Sequence, residues 1–323
     1  MHASFNKIFF FFIIVNSCAT ATAQRIDNTY TFRTLPQQTY FRFHYDNDYF
    51  TKTDYYYSQG ITLEWVNPSI KKFLPVKLLI KPARASLQYG IAFNIFGYTP
   101  TSIRSDDILY GDRPYASCMS LSNFAIASDS ARQYRISTFI TAGVIGPAAQ
   151  GEQIQTGIHR WLKNVLPKGW QHQVQNDLIL NYGLSYEKKL LNLKNYFLLN
   201  YTAEARLGTL NDKLSGGFNF MAGHFNNPYR SSSTKKKIAY YLYGQGRAHF
   251  VGYDASLQGG LFNRQTEYTI SSADIARVVF QADAGIILNF RKLFLSYTQS
   301  FLSKEFNAGL YHRWGGVSLG FSF

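Results

Sequence analysis

Polar and apolar side chains alternate one by one along most of this chain, and a period of two predicts strands. Between Tyr55 and Val66, Ile61, Leu63 and Trp65 fall on one face, with Ser58, Gly60, Thr62 and Glu64 on the other. Tyr201, Ala203, Ala205 and Leu207 oppose Asn200, Thr202, Glu204 and Arg206. Tyr134, Ile136, Ile140, Ala142 and Val144 oppose Arg135, Ser137, Phe139, Thr141 and Gly143. The final run sets Val317, Leu319, Phe321 and Phe323 against Ser318, Gly320 and Ser322. Roughly twelve such runs, each close to the length of a tilted membrane strand, are expected. They begin near Tyr40, Tyr57, Ala85, Pro114, Gln133, Asp177, Lys194, Ser215, Lys237, Ala276, Lys292 and Arg313. Charges facing a dry core are costly, so Glu204 and Arg206 point to a wet lumen. The pattern predicts an all-β chain, a transmembrane antiparallel β-barrel, with a soluble β-sandwich as the alternative.

One stretch breaks the period. From Gly151 to Val165, Ile154, Ile158, Trp161, Leu162 and Val165 recur at helical spacing, and Gln155 and His159 are i,i+4 neighbours on another face. Pro147 and Gly151 precede the stretch, while Pro167 and Gly169 end it. A helix in an otherwise all-β chain belongs in a long extracellular loop, folded over or into the barrel mouth.

Composition sharpens the barrel reading. The chain carries 27 Phe, 24 Tyr and 24 Gly, yet beyond residue 23 no stretch has the roughly 18 consecutive apolar residues of a membrane helix. Tyr186, Tyr196, Tyr240 and Trp314 near run ends suit aromatic girdles. Met1–Ala23 reads as a secretory signal, with Lys7, the apolar run Ile8–Val15 and a small-x-small site at Ala21-Thr22-Ala23. Its removal takes one charge from a formal net +14 and leaves 24–323 as the barrel domain. Cys118 is then the one cysteine, a small packing residue that precludes an intramolecular disulfide. Phe323 closing an alternating strand resembles the assembly signal of bacterial outer-membrane proteins. The Gram-negative outer membrane is therefore the expected location, and the barrel assembly machinery an expected partner. In an exported barrel the Lys and Arg excess, including the basic loop Ser231–Lys237, fits outer-membrane lipid headgroups or phosphate rather than nucleic acid.

The candidate chemistry lies near Phe43–Phe50 and Asp54–Gly60, read as a strand end, a polar loop and the next strand. Asp46, Asn47 and Asp48 fall close to the polar face that carries Ser58, and grouped carboxylate and amide oxygens suit a hard cation such as calcium. A solvated turn is the alternative. His159 is the leading general base, against a surface or packing histidine. His44, on the parity of Asp46 and Asp48, is the second choice. There is no Gly-x-Ser-x-Gly elbow, zinc-spaced histidine pair, CxxC, P-loop or dinucleotide fingerprint.

The combination of Asn47-Asp48, Tyr57-Ser58-Gln59-Gly60, Gly111-Asp112-Arg113-Pro114-Tyr115 and Val144-Ile145-Gly146-Pro147 resembles the outer-membrane lipid A 3'-O-deacylase family. Gln155-Thr156-Gly157-Ile158-His159-Arg160 and Trp170-Gln171-His172-Gln173 belong to the same pattern, which runs from about Tyr40 to Phe323. The resemblance implies a twelve-stranded barrel whose active site lies between the wall and a loop helix. It also implies calcium-dependent hydrolysis of the 3'-linked acyloxyacyl ester of lipid A (lipopolysaccharide). The family's Asn-Asp pair, strand hydroxyl and helix histidine map to Asn47, Asp48, Ser58 and His159, with Gln155 one turn earlier. In this reading His159 activates water, and Asn47, Asp48 and Ser58 surround the ion. Gln155 orients substrate or histidine, while Arg104, Arg113 and Arg160 meet lipid A phosphates or sugar acids. Arg113 could instead pair with Asp112 in the lumen. Ser58 stands where the family hydroxyl is Thr, and Val165 stands near an expected Glu. The alternatives are an outer-membrane phospholipase with a serine nucleophile and a non-catalytic porin or binding barrel.

Overall fold

The computed structural model describes residues 38–51, 55–194, 196–229 and 238–323. The expected signal Met1–Ala23 and the basic loop Ser231–Lys237 lie outside these residues. Among the described residues twelve antiparallel strands close into a barrel. They are β1 (Tyr40–Asn47), β2 (Tyr56–Val66), β3 (Ser86–Thr99), β4 (Ala116–Asp129), β5 (Tyr134–Ile145) and β6 (Asp177–Leu193), followed by β7 (Phe197–Gly208), β8 (Asn211–His224), β9 (Ile238–Asp254), β10 (Val278–Phe290), β11 (Leu293–Leu302) and β12 (His312–Ser322). Strand β12 closes on β1, with Tyr40 opposite Ser322 and Asn47 opposite Gly315. Each strand start anticipated from the alternation falls within four residues of an observed one. The alternation sets the faces: Asn200, Thr202 and Glu204 are buried inside, while Leu207 faces out, as do Val317, Leu319 and Phe321.

The interior corrects the expectation of a wet lumen around Glu204. Its carboxylate accepts from Arg206 and lies 3.7 Å from Arg247, and all but Arg206 are almost wholly buried. Tyr40 and Arg42 both donate to Glu64 at 2.7 Å. The inward charges neutralise one another across the barrel, which offsets the desolvation that an unpaired charge would suffer. Trp314 is also corrected. It is fully buried against Tyr57 and His312 and takes no part in a girdle. Tyr196 and Tyr240 do face outward, exposed, and Cys118 is a buried thiol.

The two longest connections, 146–176 and 255–277, leave from the barrel end that carries Asn47, as does 100–115, whereas the other end carries the tight turns 130–133 and 291–292 beside the 67–85 connection. Long loops outside and short turns inside are the habit of outer-membrane barrels, so the Asn47 end is extracellular. Helix α1 (Gly151–Trp161) lies in the longest of these loops, and α2 (Ala255–Gln258) is a single turn in another. The expected helix over Gly151–Val165 stops at Trp161 because Lys163 takes a left-handed conformation, φ 55°, and turns the chain back.

Candidate active site

Strand alternation would put Asn47 and Asp48 on opposite faces, and the strand avoids this by ending. Asp48 opens a 3-10 turn (Asp48–Thr51) that folds outward over β12. Phe50 covers Gly315, where an added Cβ would lie 2.5 Å from Phe50 Cβ. The Thr51 hydroxyl donates to the Arg313 carbonyl at 2.8 Å. Asn47 accepts from the Tyr49 N–H at 2.8 Å and donates to the Ser58 carbonyl at 2.9 Å and the Tyr45 hydroxyl at 3.1 Å. It thereby fixes the turn that presents Asp48. Opposite, β2 carries a bulge: its pairing passes from Tyr57–Tyr98 to Gln59–Gly97, and Ser58 is the extra residue. Tyr57 turns inward, its hydroxyl 3.3 Å from Asp46, and the Ser58 hydroxyl instead shares a 2.7 Å hydrogen bond with that of Thr99. Asp46 is thus separated from its two neighbours and faces the lumen.

A row of directly opposed residues runs from Asn47 across Gln59 and Gly97 to Ser117, and α1 packs at its far end. A Cβ on Gly151 would approach Ser117 Cβ to 2.4 Å, so only glycine lets the helix come this close to the wall. The preceding Gly146, at φ 104°, donates its N–H to the Ser117 carbonyl at 2.8 Å and accepts from the Ser117 hydroxyl at 3.1 Å. Trp170, buried with Ile103 and Tyr115, props the helix from beneath. Its indole N–H donates to the buried Gln155 side chain at 2.8 Å. Gln155 therefore anchors the helix; it makes no hydrogen bond to His159. Ile154 and Ile158 are half-buried, whereas Trp161, Leu162, Val165 and Leu166 are exposed, an apolar fringe on the outside of the barrel.

His159 Nδ1 lies 2.5 Å from the Val165 carbonyl. A carbonyl can only accept, so Nδ1 carries the proton and the neutral ring keeps its lone pair on Nε2, the form of a general base. Val165, which stands near the position of the expected Glu, contributes its backbone oxygen instead. Nothing in the residue types announces such a contact. His44, the second choice, points into the barrel, with Nδ1 2.7 Å from the Ser318 hydroxyl and Nε2 2.6 Å from Asp46. Arg113 is corrected too. It turns into the mouth, fully buried, 3.9 Å from the Tyr98 ring centroid, donating to Glu305 and to the Ser256 hydroxyl. Its partner is Glu305 rather than Asp112, and its side chain is closed off from lipid. Arg104 and Arg160 are exposed, Arg104 next to the buried Ile103 and Arg160 next to His159.

The candidate donors on this turn and the facing strand are all oxygens: the Asp48 carboxylate, the Asn47 amide oxygen, and the hydroxyl and carbonyl of Ser58, which Asn47 reaches at 2.9 Å. Among the described residues no three His, Cys, Asp or Glu side chains gather for a metal. The set fits a hard cation held through one carboxylate, with water and substrate oxygens completing its shell.

An antiparallel barrel with long loops at one end and a polar site on its outer wall defines an outer-membrane protein of Gram-negative bacteria. The chain matches the family described as outer membrane protein LpxR over residues 8–323, and it belongs to that family, a membership consistent with lipid A remodelling. Among solved structures it is similar to LpxR from Salmonella typhimurium, with TM-score 0.72 and 18% identity over 88% of this chain and 100% of that one. It is similar more loosely to the beta domain of the Bordetella autotransporter BrkA, with TM-score 0.44 and 9% identity over 89% of this chain and 100% of that one. A comparison with curated proteins gave no match.

Proposed function

We propose that this protein is an ester hydrolase that removes the 3'-linked acyloxyacyl group of lipid A at the outer wall of its barrel. The observation that carries the reading is the His159 ring: its Nδ1 proton is tied to the Val165 carbonyl, and its other nitrogen has no partner among the described residues. Two lengths support it. The row from Asn47 to Ser117 crosses three strand spacings, about 14 Å, and eight residues of helix from Gly151 to His159 rise about 12 Å. A helix anchored at Ser117 is therefore long enough to bring His159 back toward Asn47, Asp48 and Ser58. The apolar fringe of Trp161, Leu162, Val165 and Leu166 suits acyl chains alongside.

In this reading His159 Nε2 takes a proton from water as the water oxygen attacks the ester carbonyl carbon. The bond to the sugar oxygen then breaks, and the imidazolium returns the proton to that oxygen, releasing a hydroxyl and a fatty acid. Gln155 and Trp170 hold the helix, and Asn47 holds the turn. Arg104 and Arg160 meet the lipid A phosphates or sugar acids as charge-assisted donors. Asp48, Asn47 and Ser58 would hold a calcium ion. When bound, calcium supplies positive charge that favours the negative charge developing on the carbonyl oxygen.

The test is mass spectrometry of lipid A from a Gram-negative host expressing this chain, beside His159→Ala and Asp48→Ala. Loss of the 3' acyloxyacyl mass with the wild type alone is expected. Intact lipid A with a folded barrel and calcium present refutes the reading, and retained loss in His159→Ala removes the base.

A further inference from the structure

The connection between β2 and β3 is a 67–85 segment at the end of the barrel opposite Asn47, the end that also carries the tight turns 130–133 and 291–292. It contains two 3-10 turns, Pro68–Lys72 and Leu74–Leu78. Backbone bonds from Ile70 to Asn67, Phe73 to Ile70, Val76 to Phe73 and Leu79 to Val76 repeat every third residue. That pitch stacks residues three apart. Ile70, Val76 and Leu79 are buried against Ala125, with Tyr89, Ile91 and Ile140 around them. The Tyr182 hydroxyl donates to the Leu78 carbonyl at 3.1 Å, and the Asn67 N–H donates to Tyr89 at 3.0 Å. The segment is therefore strapped across the outside of β3 to β6.

Its other two stripes are Lys71, Leu74, Lys77 and Ile80, and Lys72, Pro75, Leu78 and Lys81. All eight are exposed, Leu74 at 73% and Leu78 at 69%. No acidic residue occurs between Glu64 and Asp106. Lys81 donates to the Val76 carbonyl. Lys71, Lys72, Lys77 and Arg84 make no hydrogen bond or ion pair among the described residues. Leucines interleaved with lysines would be a poor surface for water. At the boundary of acyl chains and headgroups the leucines bury while the ammonium groups reach the phosphates. The repeated backbone bonds, with Pro68, Pro75 and Pro82 lacking an N–H, reduce the number of backbone donors left facing lipid.

We propose that this strap is a binding site for anionic glycerophospholipid in the periplasm-facing leaflet, with Lys71, Lys72, Lys77 and Arg84 as the headgroup ligands. The test is native mass spectrometry of the detergent-purified barrel with phosphatidylglycerol, phosphatidylcholine or lipid A. Wild type is compared with a Lys71→Gln, Lys72→Gln, Lys77→Gln, Arg84→Gln variant whose folding is checked by heat-modifiable gel mobility. Retention of phosphatidylglycerol should fall roughly tenfold or more in the variant, with phosphatidylcholine unchanged. Unchanged phosphatidylglycerol, an equal fall in phosphatidylcholine, or a fall in lipid A alone would each overturn the proposal. Should the variant misfold, salt decides on the wild type. Phosphatidylglycerol lost as ionic strength rises supports the site, and salt-independent retention refutes it.

Discussion

His44 and His159 lie on opposite sides of the same wall, and their environments separate structure from chemistry. His44 is 1% exposed and both ring nitrogens are committed, one to Ser318 and one to Asp46. His159 commits Nδ1 alone, to a backbone carbonyl. Inside the barrel, polar side chains are demanded by the fold, so a satisfied histidine there needs no further role. The outer wall should be apolar. Asn47, Gln59, Ser117 and the half-open His159 on that side are therefore the residues the fold does not explain. The order Ser318–His44–Asp46 invites a serine-hydrolase reading, but the three are 4%, 1% and 1% exposed and no ester carbonyl can reach them.

The largest expected effect follows from this contrast. His159→Ala should lower hydrolysis of lipid A by about 10²- to 10⁴-fold while the barrel's heat-modifiable mobility stays unchanged. Ser318→Ala should leave the rate as it was. Kinetics in detergent micelles check both, and the opposite pair of results would move the chemistry into the lumen.

Next in size is the mouth of the barrel. Glu305→Ala leaves the buried Arg113 guanidinium with only the Ser256 hydroxyl and the Tyr98 ring. Removing one partner of a buried pair costs about 3–5 kcal/mol. Denaturant unfolding should show that loss, with the rate per folded molecule close to normal. A normal midpoint would mean that water takes the place of the carboxylate.

The barrel was legible because alternation is a local property: each residue of β7 or β12 declares its face by its own chemistry. The helix was legible for the same reason, and its four-residue overshoot, from Trp161 to Val165, came from a left-handed Lys163 that periodicity cannot foresee. Partnerships across the chain were not legible. Arg113 and Glu305 are 192 residues apart, and the neighbouring Asp112 was the natural but mistaken choice. Trp314 sits near a strand end like a girdle residue, yet it faces inward, where Tyr57 and His312 hold it. The Ser58 bulge and the Val165 carbonyl are backbone features, invisible to a reading of side chains.

A smaller effect tests how α1 is held. Trp170→Phe keeps the ring against Ile103 and Tyr115 but removes the N–H that Gln155 accepts. A buried acceptor left unmet costs about 1–3 kcal/mol, and the helix should shift rather than the barrel unfold. Hydrolysis should drop about tenfold in kcat with KM little changed, since Trp170 positions the base and does not touch substrate. An equal rise in KM would instead make the helix part of the substrate surface.

The smallest effect concerns the loops above this site. His172 Nδ1 lies 2.6 Å from Glu267 and Nε2 lies 3.0 Å from the Asp106 carbonyl. Both partners accept, so the imidazolium satisfies both while the neutral ring satisfies one. The hydrogen bond that His172 donates to Glu267 accordingly raises the His172 pKa above the usual histidine value. A raised histidine adds stability that is complete below its unfolded pKa and is lost as pH rises through the folded one. The link between the 100–115, 146–176 and 255–277 loops should therefore loosen on the alkaline side. Both side chains are partly exposed, and exposed pairs are weak and screened. Hydrogen exchange in these loops should then rise by roughly a few-fold or less from acidic to alkaline pH, after correction for intrinsic rates. In His172→Gln the corrected rates should lose that pH dependence while the barrel strands keep theirs. If wild type and variant respond alike, His172 does not tie the loops, and α1 is held to the wall by the Trp170–Gln155 bond and the Ser117 contacts of Gly146 and Gly151.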